Sequence, residues 1–100
     1  MRRWREYSQK VREAVRGVDP RARVYVIGGV AEDRVTVYSD IDLLIVFPYK
    51  VSRTEMNRRI LSIAFDEYSL PWDAPVELHI VDEEGAKEYF RHAKRVIEIP

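Results

Sequence analysis

Asp40, Asp42 and Glu77 are the residues of this chain whose types and spacing suit them to chemistry. In "SDIDLLIVF" two aspartates head an otherwise apolar run, separated by one isoleucine. Side chains alternate across a strand, so the two project from one face with Cα atoms about 6.6 Å apart. Ionised carboxylates are rarely buried, and two held close together repel. A divalent cation between them removes the conflict, and Mg²⁺ takes oxygen ligands. Glu77 enters a second apolar run, "VELHIV", near its start. It shares a face with His79, while Val76, Leu78 and Ile80 occupy the other. If the two runs are neighbouring strands, a third carboxylate joins the pair. Three carboxylates suffice for two Mg²⁺ ions, which activate an attacking oxygen and stabilise a leaving pyrophosphate. Asp73, in the preceding loop, is the rival to Glu77.

Gly28 and Gly29 supply the complementary half. Without Cβ atoms the backbone can approach a triphosphate closely and turn its N–H groups towards phosphate oxygens. Ser39 is placed to hydrogen-bond the turn before the strand and to add a nucleotide contact. Lys50, Arg53, Arg58 and Arg59 are all candidate phosphate partners, and the sequence singles out none. His79, on the face of Glu77, could approach the site but reads as a surface or packing residue. Trp72, beside Pro71, could wall a base site but reads as cover for a core edge, and Tyr89 and Phe90 read as core.

The elements that must position these residues follow from periodicity. Trp4, Tyr7, Val11, Ala14, Val15 and Val18 recur at helical spacing, and the helix stops near Gly17 and "DP". "ARVYVIGG" is a short strand running into a tight turn. "DIDLLIVF" is apolar on both parities beyond Asp42, the mark of a central strand covered on both faces. "SRTE", Ser52 to Glu55, is a capping box ahead of the helix face Met56, Ile60, Ile63 and Ala64. "SLPWDAP" is a loop and "VELHIV" a strand. Glu83 and Glu84 open a last helix through Ala86, Tyr89, Phe90 and Ala93, and "RVIEI" can close the chain as a strand. The order α-β-β-α-β-α predicts an α+β fold, helices packed on a small mixed sheet.

Composition sets the outer bounds. One hundred residues with 46% hydrophobic content are about one domain's worth of folded chain. Seventeen basic and seventeen acidic residues give zero net charge, so direct nucleic-acid binding is not expected. The excess of arginine before Val24 reads as the solvated face of a helix. With no cysteine, no long apolar run and no h-region after the basic start, a cytoplasmic protein without a membrane span is expected.

The motif itself is the most specific signal. "GG", ten residues, then Asp40-Ile-Asp42 resembles the signature of the nucleotidyltransferases of the DNA polymerase β superfamily. More narrowly it resembles the minimal nucleotidyltransferases of archaea and bacteria. The resemblance implies a palm-like fold over residues 1–100 as one nucleotidyltransferase domain. It implies Mg²⁺ at Asp40, Asp42 and Glu77, and Gly28 and Gly29 on the phosphates of ATP. It further implies transfer of AMP to a hydroxyl. In that family the acceptor can be a tyrosine of a helical HEPN-type toxin, the nucleotidyltransferase serving as antitoxin. The turn departs from the commoner "GSxARG": this chain reads "GGVAED", with Glu32 and Asp33 where an arginine and a glycine would stand. Two other readings stand beside the enzyme: a module that neutralises a partner by contact, and a nucleotide-binding regulatory subunit. The oligomeric state, a homo-oligomer included, is not fixed by the residues.

Overall fold

The apolar spacing of the first segment forms the helix it predicts. In the structure, a computed structural model that describes residues 3–32 and 40–100, α1 runs Trp4–Val18 and buries Tyr7, Val11, Ala14 and Val15. It stops at Asp19, whose backbone is extended as the following proline demands. The buried Asp19 carboxylate accepts the Arg21 backbone N–H at 2.9 Å and the Arg21 guanidinium at 3.1 and 3.0 Å. The Tyr49 hydroxyl donates to it as well. Those donors, Arg21 first and Tyr49 next, favour the ionised form and hold the Asp19 carboxyl well below the usual carboxylate range.

The remaining elements are β1 (Arg23–Ile27), α2 (Gly28–Ala31), β2 (Ile41–Phe47), α3 (Arg53–Tyr68), β3 (Val76–Asp82), α4 (Glu83–His92) and β4 (Ile97–Ile99). The expected α-β-β-α-β-α order is present, with a one-turn helix after Ile27 and a short strand at the end added to it. Local chemistry sets the helix ends. Ser52 caps α3, its Oγ accepting the Glu55 N–H at 3.3 Å. At the other end Ser69 turns left-handed (φ 56°), and Leu70 N–H returns to the Ala64 carbonyl at 3.0 Å. Lys10 of α1 donates to the Tyr68 carbonyl at 2.7 Å, a cation at the negative end of α3. Asp82 caps α4, accepting the Gly85 N–H at 2.8 Å.

Among the described residues four strands form one sheet, in the order β3-β2-β1-β4. β1 pairs antiparallel with β2 and with β4, while β2 and β3 run parallel, joined through α3. β2 is therefore interior, and its two apolar parities serve two faces. Ile41, Leu43, Ile45 and Phe47 join α1 and α3 in the larger core. Leu44 and Val46 face α4 with Ile27 and Ala86. Leu43 and Leu44, one on each face, are both fully buried, worth roughly 2 kcal/mol apiece. Asp42 shares parity with Leu44 and so opens on the α4 face.

Two aromatic residues differ from expectation. Phe90 is 41% exposed, its ring edge-on to Tyr25 at 5.1 Å, because Ala86 and Tyr89 carry the packing of α4 on the core around Leu44 and Val46. Trp72 is 88% exposed. It sits in a turn closed by the Ala74 N–H on the Pro71 carbonyl at 3.0 Å. Buried Leu70 precedes that turn, and the Pro75 carbonyl that follows accepts the Ile41 N–H at 2.6 Å. The turn is pinned on both sides, and the tryptophan at its tip covers no core.

Candidate active site

The parallel pairing of β2 and β3 sets Asp42 directly opposite Glu77, and the antiparallel pairing of β1 sets Ile27 opposite Asp42. One row across three strands thus brings the end of β1, the acid of β2 and the acid of β3 together. Alternation then puts His79 on the face of Glu77. Its Nε2 lies 3.1 Å from Asp42 Oδ1. Asp42, Glu77 and His79 each offer one ligand atom, all within 4.8 Å of one another. Asp42 and His79 keep 29% and 25% of their side chains in solvent, so the group is supported by the sheet yet open to an ion.

Gly28 closes the other flank of Asp42. A Cβ built on Gly28 would stand 2.7 Å from Asp42 Oδ2, a distance real Cβ atoms do not tolerate. Its φ of +72° is also the left-handed region that glycine alone enters at little cost. The Asp42 carboxylate is therefore held between a glycine at Oδ2 and an imidazole at Oδ1. Gly29 follows in α2, half-buried.

Of the residues read from the sequence, the structure brings Asp42, Glu77 and Gly28 together. Asp40 is exposed, one residue before β2, and is not part of the close group. Asp73, the rival to Glu77, is exposed in the Trp72 turn and is also outside it. Ser39 and Asp33 fall outside the described residues. Lys50 and Arg53 border a groove at the far end of β3, beside Asp82, Arg53 also reaching the opening beside His79, and Arg58 and Arg59 lie on the exposed face of α3.

Two residues were underread. His79, taken for surface or packing, bonds Asp42; its shared parity with Glu77 was the visible signal, but the partner depends on strand register. Tyr89 packs on the smaller core, as its reading as core expects, and is half-buried with its ring also 5.7 Å from that of His79. Tyr89 lines two openings. An open groove of about 410 Å³ lies beside Gly28, lined also by Ile27, Glu32 and Ala93. A second, of about 270 Å³, is lined by Arg53, Thr54, Asn57 and His79. Nothing in the sequence of α4 shows that Tyr89 faces this place.

The donor set fits a divalent cation. Two carboxylates and an imidazole converge on one point, and the glycine leaves room for the carboxylate at that point. With this geometry the comparisons with known proteins agree. Residues 8–99 match the profile of the nucleotidyltransferase domain, and the chain belongs to that family. One solved structure, of a candidate nucleotidyltransferase, is 23% identical, covers 92% of this chain and 96% of its own, and superposes with a TM-score of 0.59. Another, a candidate nucleotidyltransferase from Sulfolobus solfataricus, is 21% identical, with 96% of this chain and 78% of that one covered and a TM-score of 0.67. At these identities the two structures establish the shared fold. No curated protein gives a significant match. Among the described residues no helix is long and apolar enough to cross a membrane.

Proposed function

We propose that the chain transfers a nucleoside monophosphate, AMP from ATP, to a hydroxyl acceptor. The acceptor oxygen forms a new bond to the α-phosphorus, the bond from that phosphorus to the bridging oxygen breaks, and pyrophosphate leaves. The observation that carries this reading is the Asp42–Glu77 pair set in register beside Gly28.

A divalent ion at Asp42 and Glu77, with Asp40 completing the nucleotide side, supplies positive charge to the phosphates and to the attacking oxygen. The residues do the rest. Gly28 and Gly29 receive the triphosphate on the β1 side of Asp42, where backbone N–H groups can approach it, and Ser39 adds a nucleotide contact. The groove between Gly28 and Tyr89 takes the nucleoside. Glu77, on the β3 side, orients the acceptor hydroxyl and takes its proton as the new bond forms.

The acceptor we assign is a tyrosine hydroxyl of a HEPN-type helical partner, so that the chain acts as an antitoxin in the cytoplasm; this rests on the resemblance of the motif. The competing reading is a module that neutralises its partner by contact alone. It is favoured by one observation, the position of Asp40 outside the close acidic group. Isothermal titration of ATP with and without Mg²⁺ decides between them, on wild type and on Asp40→Asn/Asp42→Asn. Mg²⁺-dependent binding lost in the variant supports the enzyme. Its absence from the wild type, with partner neutralisation intact, supports the module.

A further inference from the structure

We infer that His79 is a direct nitrogen ligand of the metal ion. The site is thereby built to favour first-row transition ions, Co²⁺ most and Mn²⁺ less, over Mg²⁺. The inference rests on the nucleotidyl-transfer reading of the same site and adds to it the identity of a ligand and the class of ion.

Three relationships lead to it. First, the imidazole is in place. Nε2 is 3.1 Å from Asp42 Oδ1, and the Asp42, Glu77 and His79 donor atoms lie within 4.8 Å of one another. That span is about twice a metal–ligand bond of roughly 2.1–2.3 Å, so one ion between them reaches all three with small adjustments. Asp40, the acid that would make the set all-oxygen, stands outside the group.

Second, the ring is oriented by its surroundings. His79 is on a strand held by its ladder to β2, and Tyr89 packs against it with ring centres 5.7 Å apart and planes inclined by 53°. A ligand restrained in this way loses little freedom on binding an ion. Third, the carboxylate it meets is held from behind. Gly28 admits Asp42 Oδ2 to a space that any Cβ would fill, leaving Oδ1 on the His79 side.

The chemistry follows from ligand type. Mg²⁺ prefers oxygen donors and keeps its waters, whereas an imidazole adds affinity for the divalent first-row transition ions, least for the hard Mn²⁺ and more for Co²⁺ and the ions after it. Two carboxylates and one imidazole therefore move selectivity away from Mg²⁺ without abolishing its binding. The chain has two histidines, and the other, His92, is 75% exposed at the end of α4 beside Glu88. A nitrogen seen at the ion is thus assignable.

The test is pulsed electron paramagnetic resonance of Mn²⁺ added to the full chain, with Mn²⁺ and Mg²⁺ affinities measured on wild type, His79→Asp, His79→Gln, His92→Asn and Asp42→Asn. The expected result is hyperfine coupling to a directly bound nitrogen in wild type and His92→Asn, lost in both His79 variants. The preference for Mn²⁺ over Mg²⁺ should fall by roughly fivefold or more in His79→Asp. If His79→Asp does not fold, the wild-type spectrum and His79→Gln decide alone. Mn²⁺ bound in an Asp42-dependent way without nitrogen coupling overturns the inference and leaves the nucleotidyl-transfer reading standing. Mn²⁺ affinity indifferent to Asp42→Asn overturns both.

Discussion

Gly28 and Asp42 occupy one another's space: the carboxylate Oδ2 lies 2.7 Å from where a Cβ on Gly28 would be. The turn after β1 and the acid of β2 are therefore a single steric unit. Gly28→Ala should cost about 1–2 kcal/mol for its left-handed backbone. It should also push the carboxylate out of line and weaken divalent-ion binding by roughly tenfold or more. Thermal melting and ion titration of the same variant check both, and an ion affinity unchanged from wild type would separate the glycine from the site.

Asp42→Asn and Glu77→Gln should each lower pyrophosphate release by roughly 10²-fold or more, since each removes charge where the reaction develops it. The side chain of Asp42 is partly open to solvent and Glu77 is exposed, so far-ultraviolet circular dichroism should not change. Single-turnover assays with labelled ATP measure the first effect.

Asp19 gives a pH dependence. Its folded-state pKa is depressed below that of the unfolded chain by Arg21 and Tyr49. Its contribution to stability is therefore complete above the unfolded value, near 4, and is lost as pH falls from there towards the folded value. Asp19→Asn should melt lower than wild type at pH 7, with the gap closing below about pH 4. A gap that stays constant from pH 7 to pH 2 would show that the network does not act through the charge.

Trp72 is 88% exposed on a turn closed by the Ala74 N–H on the Pro71 carbonyl. Trp72→Ala should alter stability by no more than about 0.5 kcal/mol. A loss well above that in urea denaturation would mean the ring is covered in solution.

Asp82→Ala removes the carboxylate that accepts the Gly85 N–H and should cost about 1 kcal/mol. Because α4 carries Tyr89 against His79, the effect should reach the site as faster hydrogen exchange in α4 and around His79.

Much of this was written in alternation and spacing. The two-sided apolar run of Ile41–Phe47 marked an interior strand, and the parity of "VELHIV" separated Glu77 and His79 from the core residues. Parity names a face, however, and not a neighbour. That His79 meets Asp42 depends on the β2–β3 register, which a crossover through α3 sets. Asp19 looked only like the end of a helix, because its partner Tyr49 lies thirty positions on and is brought near by the sheet. The exposure of Trp72 and Phe90 was hidden for a related reason. Hydrophobicity says that a side chain gains by burial, but the surface available to bury it is decided by other elements.

The parallel join of β2 to β3 has a thermodynamic consequence. Parallel neighbours cannot be linked by a tight turn, so Asp42 and Glu77 are separated in the chain by the whole of α3 and meet only once that helix has crossed over. The unfolded chain offers no such pair. An ion held there would bind the native state alone and would raise its stability by linkage, about 2.7 kcal/mol at a hundredfold excess over the dissociation constant. For a chain of this size that would be a large share of the whole, and the melting temperature would then depend on cation concentration.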